Sequence, residues 1–147
     1  ARRLMAVARF GALGVIDPAT GAPSVSRVAI ALAPESVPLT LVSDLSPHTA
    51  GLRADPRASL LLGEPAPGGD PLAHPRMTID VRAVFIDRAS HQYGTLRDHW
   101  VTERPKSKLY VDFADFHLVR LVPQSASLNG GFGKAYRLAA EDLALPA

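Results

Sequence analysis

Along most of this chain apolar and polar residues alternate with the two-residue period of β-strands. The clearest case is Met77–Ile86, where Met77, Ile79, Val81, Ala83 and Phe85 share one face and Thr78, Asp80 and Arg82 the other. Phe10–Ile16 and Ser24–Leu32 are strands joined by the turn-rich link Asp17–Pro23, with its Asp-Pro and Thr-Gly pairs, and they predict a hairpin. Leu39–Ser43 and Ala58–Gly63 add two more strands. Phe116–Val122 and Ser125–Leu128 add the last two, separated at Pro123.

Helical spacing is confined to short pieces. Arg2–Arg9 makes a turn or two, His91–Glu103 places Tyr93, Leu96 and Trp100 on one side, and Lys106–Phe113 continues helically after Pro105. Glu64–Pro75 is a long proline- and glycine-rich loop of the kind that covers something. Seven strands with hairpin connections and no βαβ rhythm predict a mainly β fold, a closed antiparallel barrel forming one domain over 1–147.

The stretch Leu39–Gly63 reads as strand, tight turn, short helix and strand. Ser46 before Pro47 is a helix-start signal, because serine caps free amides and proline lacks the N–H that would be unpaired there. His48 and Thr49 then fall in the first turn, where free donors and the helix dipole favour an anion. Ser43, His48 and Thr49 offer side-chain donors to the same spot. Asp55-Pro56 ends the helix, since the residue before proline is pushed out of the helical region. The plainer interpretation is a capped surface helix between two strands.

The second strand strengthens the anion reading. Val28, Ile30 and Leu32 are bulky and share a face, whereas Val25, Arg27, Ala29 and Ala31 put one cation and two small residues on the other. Small side chains admit a flat ligand, and an arginine there can grip phosphate bidentately. A barrel that needs small residues in order to close explains the same pattern.

Other constellations point less clearly. Asn129–Lys134 is glycine-rich but lacks the strand–turn–helix setting of a dinucleotide or phosphate loop. His91 and His99 stand eight residues apart, not at the four-residue spacing of a zinc pair, so no metal is expected. His117 suits a hydrogen-bonded core or interface histidine, and Asp112 and Asp115 suit turns. Trp100, Tyr110, Phe113 and Phe116 suit core or dimer packing.

Composition then removes whole classes. The 147 residues contain no cysteine, which excludes disulfides and thiolate chemistry and agrees with a cytoplasmic protein. Net charge is +2 with both signs interleaved, so no nucleic-acid footprint is visible. No apolar window of about eighteen residues exists to span a membrane. The basic, apolar start is broken by Arg9 and followed by no small-residue cleavage site, so a signal peptide is not expected.

The segments SRVAIAL, LVSDLSPHTAGLRADPRASLLL, DPLAHPRMTI, YVDFADFHLVRL and NGGFGKA, taken in order, resemble the FMN-binding split-barrel family related to pyridoxamine 5'-phosphate oxidase. The likeness runs from about Phe10 to Lys134 and is strongest to the haem-utilisation branch. It implies a homodimer with cofactor sites across the subunit interface. It also implies that Arg27, Ser43, His48 and Thr49 hold the FMN phosphate and that Val28 and Ala29 lie along the flavin ring. The oxidase proper carries an Arg-Lys pair where His48-Thr49 stand. A C-terminal arginine-rich strand that reads pyridoxal substrates is missing here, as is any histidine after His117 to ligate haem as that branch does. The resulting expectation is an FMN-dependent oxidoreductase of a small-molecule substrate, with no catalytic residue named. The alternative is a protein that binds flavin, haem or a deazaflavin without turnover.

Overall fold

The computed structural model describes residues 1–144. The strands are β1 (Phe10–Ile16), β2 (Pro23–Ala29), β3 (Ala31–Leu32), β4 (Pro38–Ser43), β5 (Arg57–Leu62), β6 (Arg76–Phe85), β7 (Phe116–Asn129) and β8 (Ala135–Ala139). The helices are α1 (Arg2–Val7), α2 (Pro47–Ala54), α3 (Tyr93–Glu103) and α4 (Ala140–Leu143). All pairings are antiparallel, in the order β2-β1-β5-β6-β7-β4-β3 with β8 on β7. The fold is a mainly β, antiparallel split barrel.

The predicted second strand is two pieces, and the break closes the sheet. Residues 23–29 pair with β1 and residues 31–32 pair with β4, so this one segment joins the two ends of the strand order. At the switch the Ile30 N–H donates to the Arg9 carbonyl at 2.9 Å, and the Thr40 hydroxyl donates to the Ala29 carbonyl at 2.8 Å.

The two predicted last strands are, conversely, a single long β7. Asp80 faces Ser125 while Val81 faces Pro123, so Gln124 is the extra residue of a β-bulge. A bulge is where a strand tolerates a proline that cannot donate. Strand β8 was not expected; it returns from the Asn129–Lys134 hairpin to pair with β7.

Two apolar clusters form the core. Leu13, Val28, Leu60, Ile79, Val119 and Leu121 are among those filling the barrel, and Met5 of α1 and Leu143 of α4 join them. On the far side of β4 and β7, α3 and the turn after it lay Leu96, Trp100 and Val111 over Leu39 and Leu118. The alternation read in β6 holds: Met77, Ile79, Val81 and Ala83 are buried, and Thr78, Asp80, Arg82 and Val84 are exposed. The loop 64–75 carries one 3-10 turn, Pro71–Ala73, capped by Asp70 and held by Arg76 donating to the Leu72 carbonyl at 3.0 Å.

These clusters leave a broad outer face on β2-β1-β5-β6-β7. Among the described residues no helix packs its apolar side there, and no helix is long and apolar enough to cross a membrane.

Candidate functional site

The helix start forms where the sequence places it. Pro47 opens α2, Asp55 is extended at its end, and the helix stops at Ala54. Ser46 is the N-cap residue but makes no side-chain cap bond. Its carbonyl instead accepts the Thr49 N–H at 3.0 Å. The Thr49 hydroxyl donates to the Ser43 carbonyl at 2.5 Å, and the Ser43 Oγ accepts the Leu45 N–H at 3.1 Å. Ser43 and Thr49 therefore meet, as expected, but the Thr49 hydroxyl is spent on the Ser43 backbone carbonyl, and the Ser43 Oγ accepts a turn amide while its own proton stays free to donate. Thr49 is 2% exposed and presents nothing outward.

His48 turns the other way. Its Nδ1 lies 2.9 Å from the Ser26 Oγ on β2, and partial burial lowers its pKa from the usual imidazole value. A neutral imidazole supplies no charge to a phosphate near neutral pH.

Arg27 does not join them. Ser26 and Val28 point toward α2 and the core, so the pleat sends Arg27 and Ala29 to the opposite face. The guanidinium rests over the Phe10 ring at 5.2 Å. Val28 is buried in the barrel, and the pleat turns the Ala29 side chain to the other face. Within one protomer the expected convergence of Arg27, Ser43, His48 and Thr49 on a phosphate is thus not formed. The reason is strand parity: α2 packs on the face of Ser26, not on that of Arg27.

Two features escaped the sequence reading. At the end of the barrel beside α2, the His117 Nε2 lies 2.8 Å from Asp44, whose other neighbour is Arg53 at 3.9 Å. Arg53 stacks on Phe85 at 4.2 Å, and Phe85 meets the His117 ring edge-on at 6.1 Å. The second is a cleft of 720 Å³ on the outer face, running across β1, β5, β6 and β7, lined by Gly14, Ile16, Arg57, Asp80, Arg82 and Ser125 among others. Its only signals in the sequence were the Asp55-Pro56-Arg57 run and the outward parity of Arg82. His99, a rejected metal ligand, bonds the Leu32 carbonyl at 2.7 Å.

The aromatic run is not protomer core. Phe116 stacks with Tyr110 at 5.0 Å and with Phe113 at 6.3 Å, and Tyr110 and Phe113 are exposed.

No family model matches the chain. Over 116 residues, 79% of this chain, it is 30% identical to the non-canonical haem oxygenase HOZ of the Arabidopsis thaliana chloroplast. A haem-binding protein of Mycobacterium smegmatis superposes over 97% of this chain and 57% of its own, at 28% identity and a TM-score of 0.87. A putative pyridoxamine 5'-phosphate oxidase of Listeria innocua covers 86% of this chain and 92% of its own, at 16% identity and a TM-score of 0.64, a likeness of fold alone. The chain has the split-barrel fold of the proteins related to pyridoxamine 5'-phosphate oxidase. It spans about a third (34%) of the Arabidopsis protein and just over half of the mycobacterial one. In this chain the Thr49 hydroxyl at the α2 turn is bonded internally, and the Ser43 Oγ accepts a turn amide.

Proposed function

We propose that this domain is a haem-binding member of the split-barrel family, working as a homodimer, rather than an FMN-dependent oxidoreductase. What carries the proposal is the likeness, above a quarter identity, to one protein described as haem-binding and another described as a haem oxygenase. The site geometry supports it. An FMN phosphate needs several charged or free donors at one point, and in the protomer the Thr49 hydroxyl is internally bonded, burial lowers the His48 pKa and so disfavours its charged form, and Arg27 is across the sheet.

Homodimerisation is the second part of the proposal. Tyr110 and Phe113, exposed beside Phe116, form an aromatic patch suited to an isologous contact. No residue is assigned a catalytic role.

Titration of the purified protein with haem and, separately, with FMN tests the proposal. Haem should bind with a saturable shift of its main absorption band, and FMN should bind far more weakly. Tighter binding of FMN than of haem would overturn it, as would saturable haem binding that a deazaflavin displaces at equal concentration.

A further inference from the structure

The loop 64–75 and the glycine-rich Asn129–Lys134 hairpin, far apart in the chain, meet in the fold. A Cβ on Gly131 would stand 3.2 Å from the Ala73 carbonyl, so the hairpin backbone touches the loop. Arg76, at the start of β6, holds the loop in place. One of its terminal nitrogens donates to the Leu72 carbonyl at 3.0 Å and to the His74 carbonyl at 3.5 Å.

The strand register extends the same surface across three strands. Thr78 of β6 pairs with Ser127 of β7, which pairs with Arg137 of β8; Arg76 pairs with Asn129, which pairs with Ala135. Thr78 is exposed between the buried Met77 and Ile79, so this is the outer face. Strand spacing and rise put the Arg76 and Arg137 Cα atoms roughly 12 Å apart, with two hydroxyls and an amide between them. A terminal nitrogen of Arg137 donates to the Ser127 Oγ at 3.0 Å, which lays the arm over β7. Both arginines line one cleft of 330 Å³. A second cleft, of 200 Å³, shares Arg76, Asn129 and Ala135 with the first and adds Lys134.

Charge sets these two clefts apart. Elsewhere on the surface cations share their clefts with acids: Arg9 with Glu103, Arg27 with Glu64, and Arg57 and Arg82 with Asp80. Among the described residues no acid lines either hairpin cleft, and Arg76, Lys134 and Arg137 make no ion pair. The acid nearest along β6, Asp80, has its oxygens on the Ser59 hydroxyl at 3.2 Å and the Ser125 hydroxyl at 2.9 Å. Polar side chains between two arginines suit an anion with many acceptor oxygens. A guanidinium grips phosphate oxygens bidentately, and an ammonium adds a point charge. The three cations are spread over two joined clefts, so two linked phosphates use all of them.

We propose that the loop 64–75 and the Asn129–Lys134 hairpin frame a diphosphate site, with Arg76 and Arg137 holding one phosphate and Lys134 the other. The ligand class is a phosphorylated small molecule carrying two linked phosphates.

Inorganic pyrophosphate and inorganic phosphate are the probes, each titrated calorimetrically into the full chain at one fixed ionic strength. Pyrophosphate should saturate and bind more tightly than phosphate. Because Arg76 also holds the loop, Arg137 is the arginine to substitute. Arg137→Ala should weaken both probes about ten- to a hundredfold, the scale of lost charge-assisted bonds, and Arg137→Lys should recover part of the loss. Lys134→Ala should weaken pyrophosphate and leave phosphate unchanged. Lys108→Ala, which removes one charge from the exposed turn after α3, should change neither. Circular dichroism should show every variant folded.

Absence of saturable pyrophosphate binding by the unsubstituted chain would overturn the site, as would an affinity that Arg137→Ala leaves unchanged. Equal losses from Lys108→Ala and Arg137→Ala would reduce the binding to general charge attraction and overturn it as well.

Discussion

Replacing Gly51 by alanine tests how α2 is seated on the barrel, and with it the placement of Ser43, His48 and Thr49. A Cβ at Gly51 would stand 2.8 Å from Val15 Cγ2, 3.2 Å from Val15 Cβ and 3.1 Å from the Ile16 carbonyl. Val15 is a stiff β-branched residue in the packed barrel, 4% exposed, and the carbonyl belongs to β1, so neither can swing aside. Helix and strand must separate instead, an overpacking cost of about 2–3 kcal/mol. Alanine recovers about 1 kcal/mol of helix propensity. The net loss is about 1–2 kcal/mol, or about 2–8 °C in Tm for a chain of this size. Gly14→Ala is the matched control. Its Cβ meets nothing nearer than 3.7 Å, and alanine in a strand interior is favoured over glycine by about 0.5–1 kcal/mol, so Tm should hold or rise. Thermal unfolding followed by circular dichroism reads both. Equal effects of the two substitutions would refute the account of α2 packing.

Trp100→Ala removes a side chain that is 1% exposed under α3 and should cost about 3–5 kcal/mol, measured by urea unfolding. Burial lowers the His48 pKa, so His48 favours the folded state fully above about pH 6.5 and loses that contribution as pH falls toward its folded value. An NMR titration should place its midpoint below 6.5, and His48→Gln should flatten the acid side of the stability profile. Hydrogen bonding from Arg57 lowers the Asp55 pKa to about 2, so the Asp55 contribution is present above about pH 4 and is lost between there and pH 2. Melting curves of wild type and Asp55→Asn should converge over that window. Phe113→Glu, on the exposed aromatic patch, should move the sedimenting species from dimer toward monomer.

Much of the barrel was legible because inward and outward residues differ so sharply. In β6, Met77, Ile79, Val81 and Ala83 alternate with Thr78, Asp80 and Arg82 without exception, and Phe10–Ile16 was bounded to the residue. Where pairing changes partner the sequence carries no mark. Ile30 is as apolar as its neighbours, yet the chain leaves β1 for β4 there. Pro123 looks like a strand breaker because the bulge that accommodates it is defined by Asp80 and Val81, some forty residues away in the chain. Strand β8 hid behind the glycine-rich Asn129–Lys134 turn, and its residues Ala135, Arg137 and Ala139 give little contrast.

The candidate site divided along the same line. That Ser43 and Thr49 would meet followed from local turn chemistry, which sequence encodes. That Arg27 would not join them depends on which face of β2 receives α2, a tertiary fact expressed only in the Ser26–His48 contact. Arg82 falls on the outer face as its parity predicts, but the cleft it borders is lined from five strands brought together from distant parts of the chain.

The most direct test of the central claim is a competitive titration of the purified full chain with haem and FMN under one set of conditions, read by the haem absorption band and by flavin fluorescence. The account predicts saturable haem binding that a tenfold excess of FMN does not displace. Saturable FMN binding that excludes haem would contradict it.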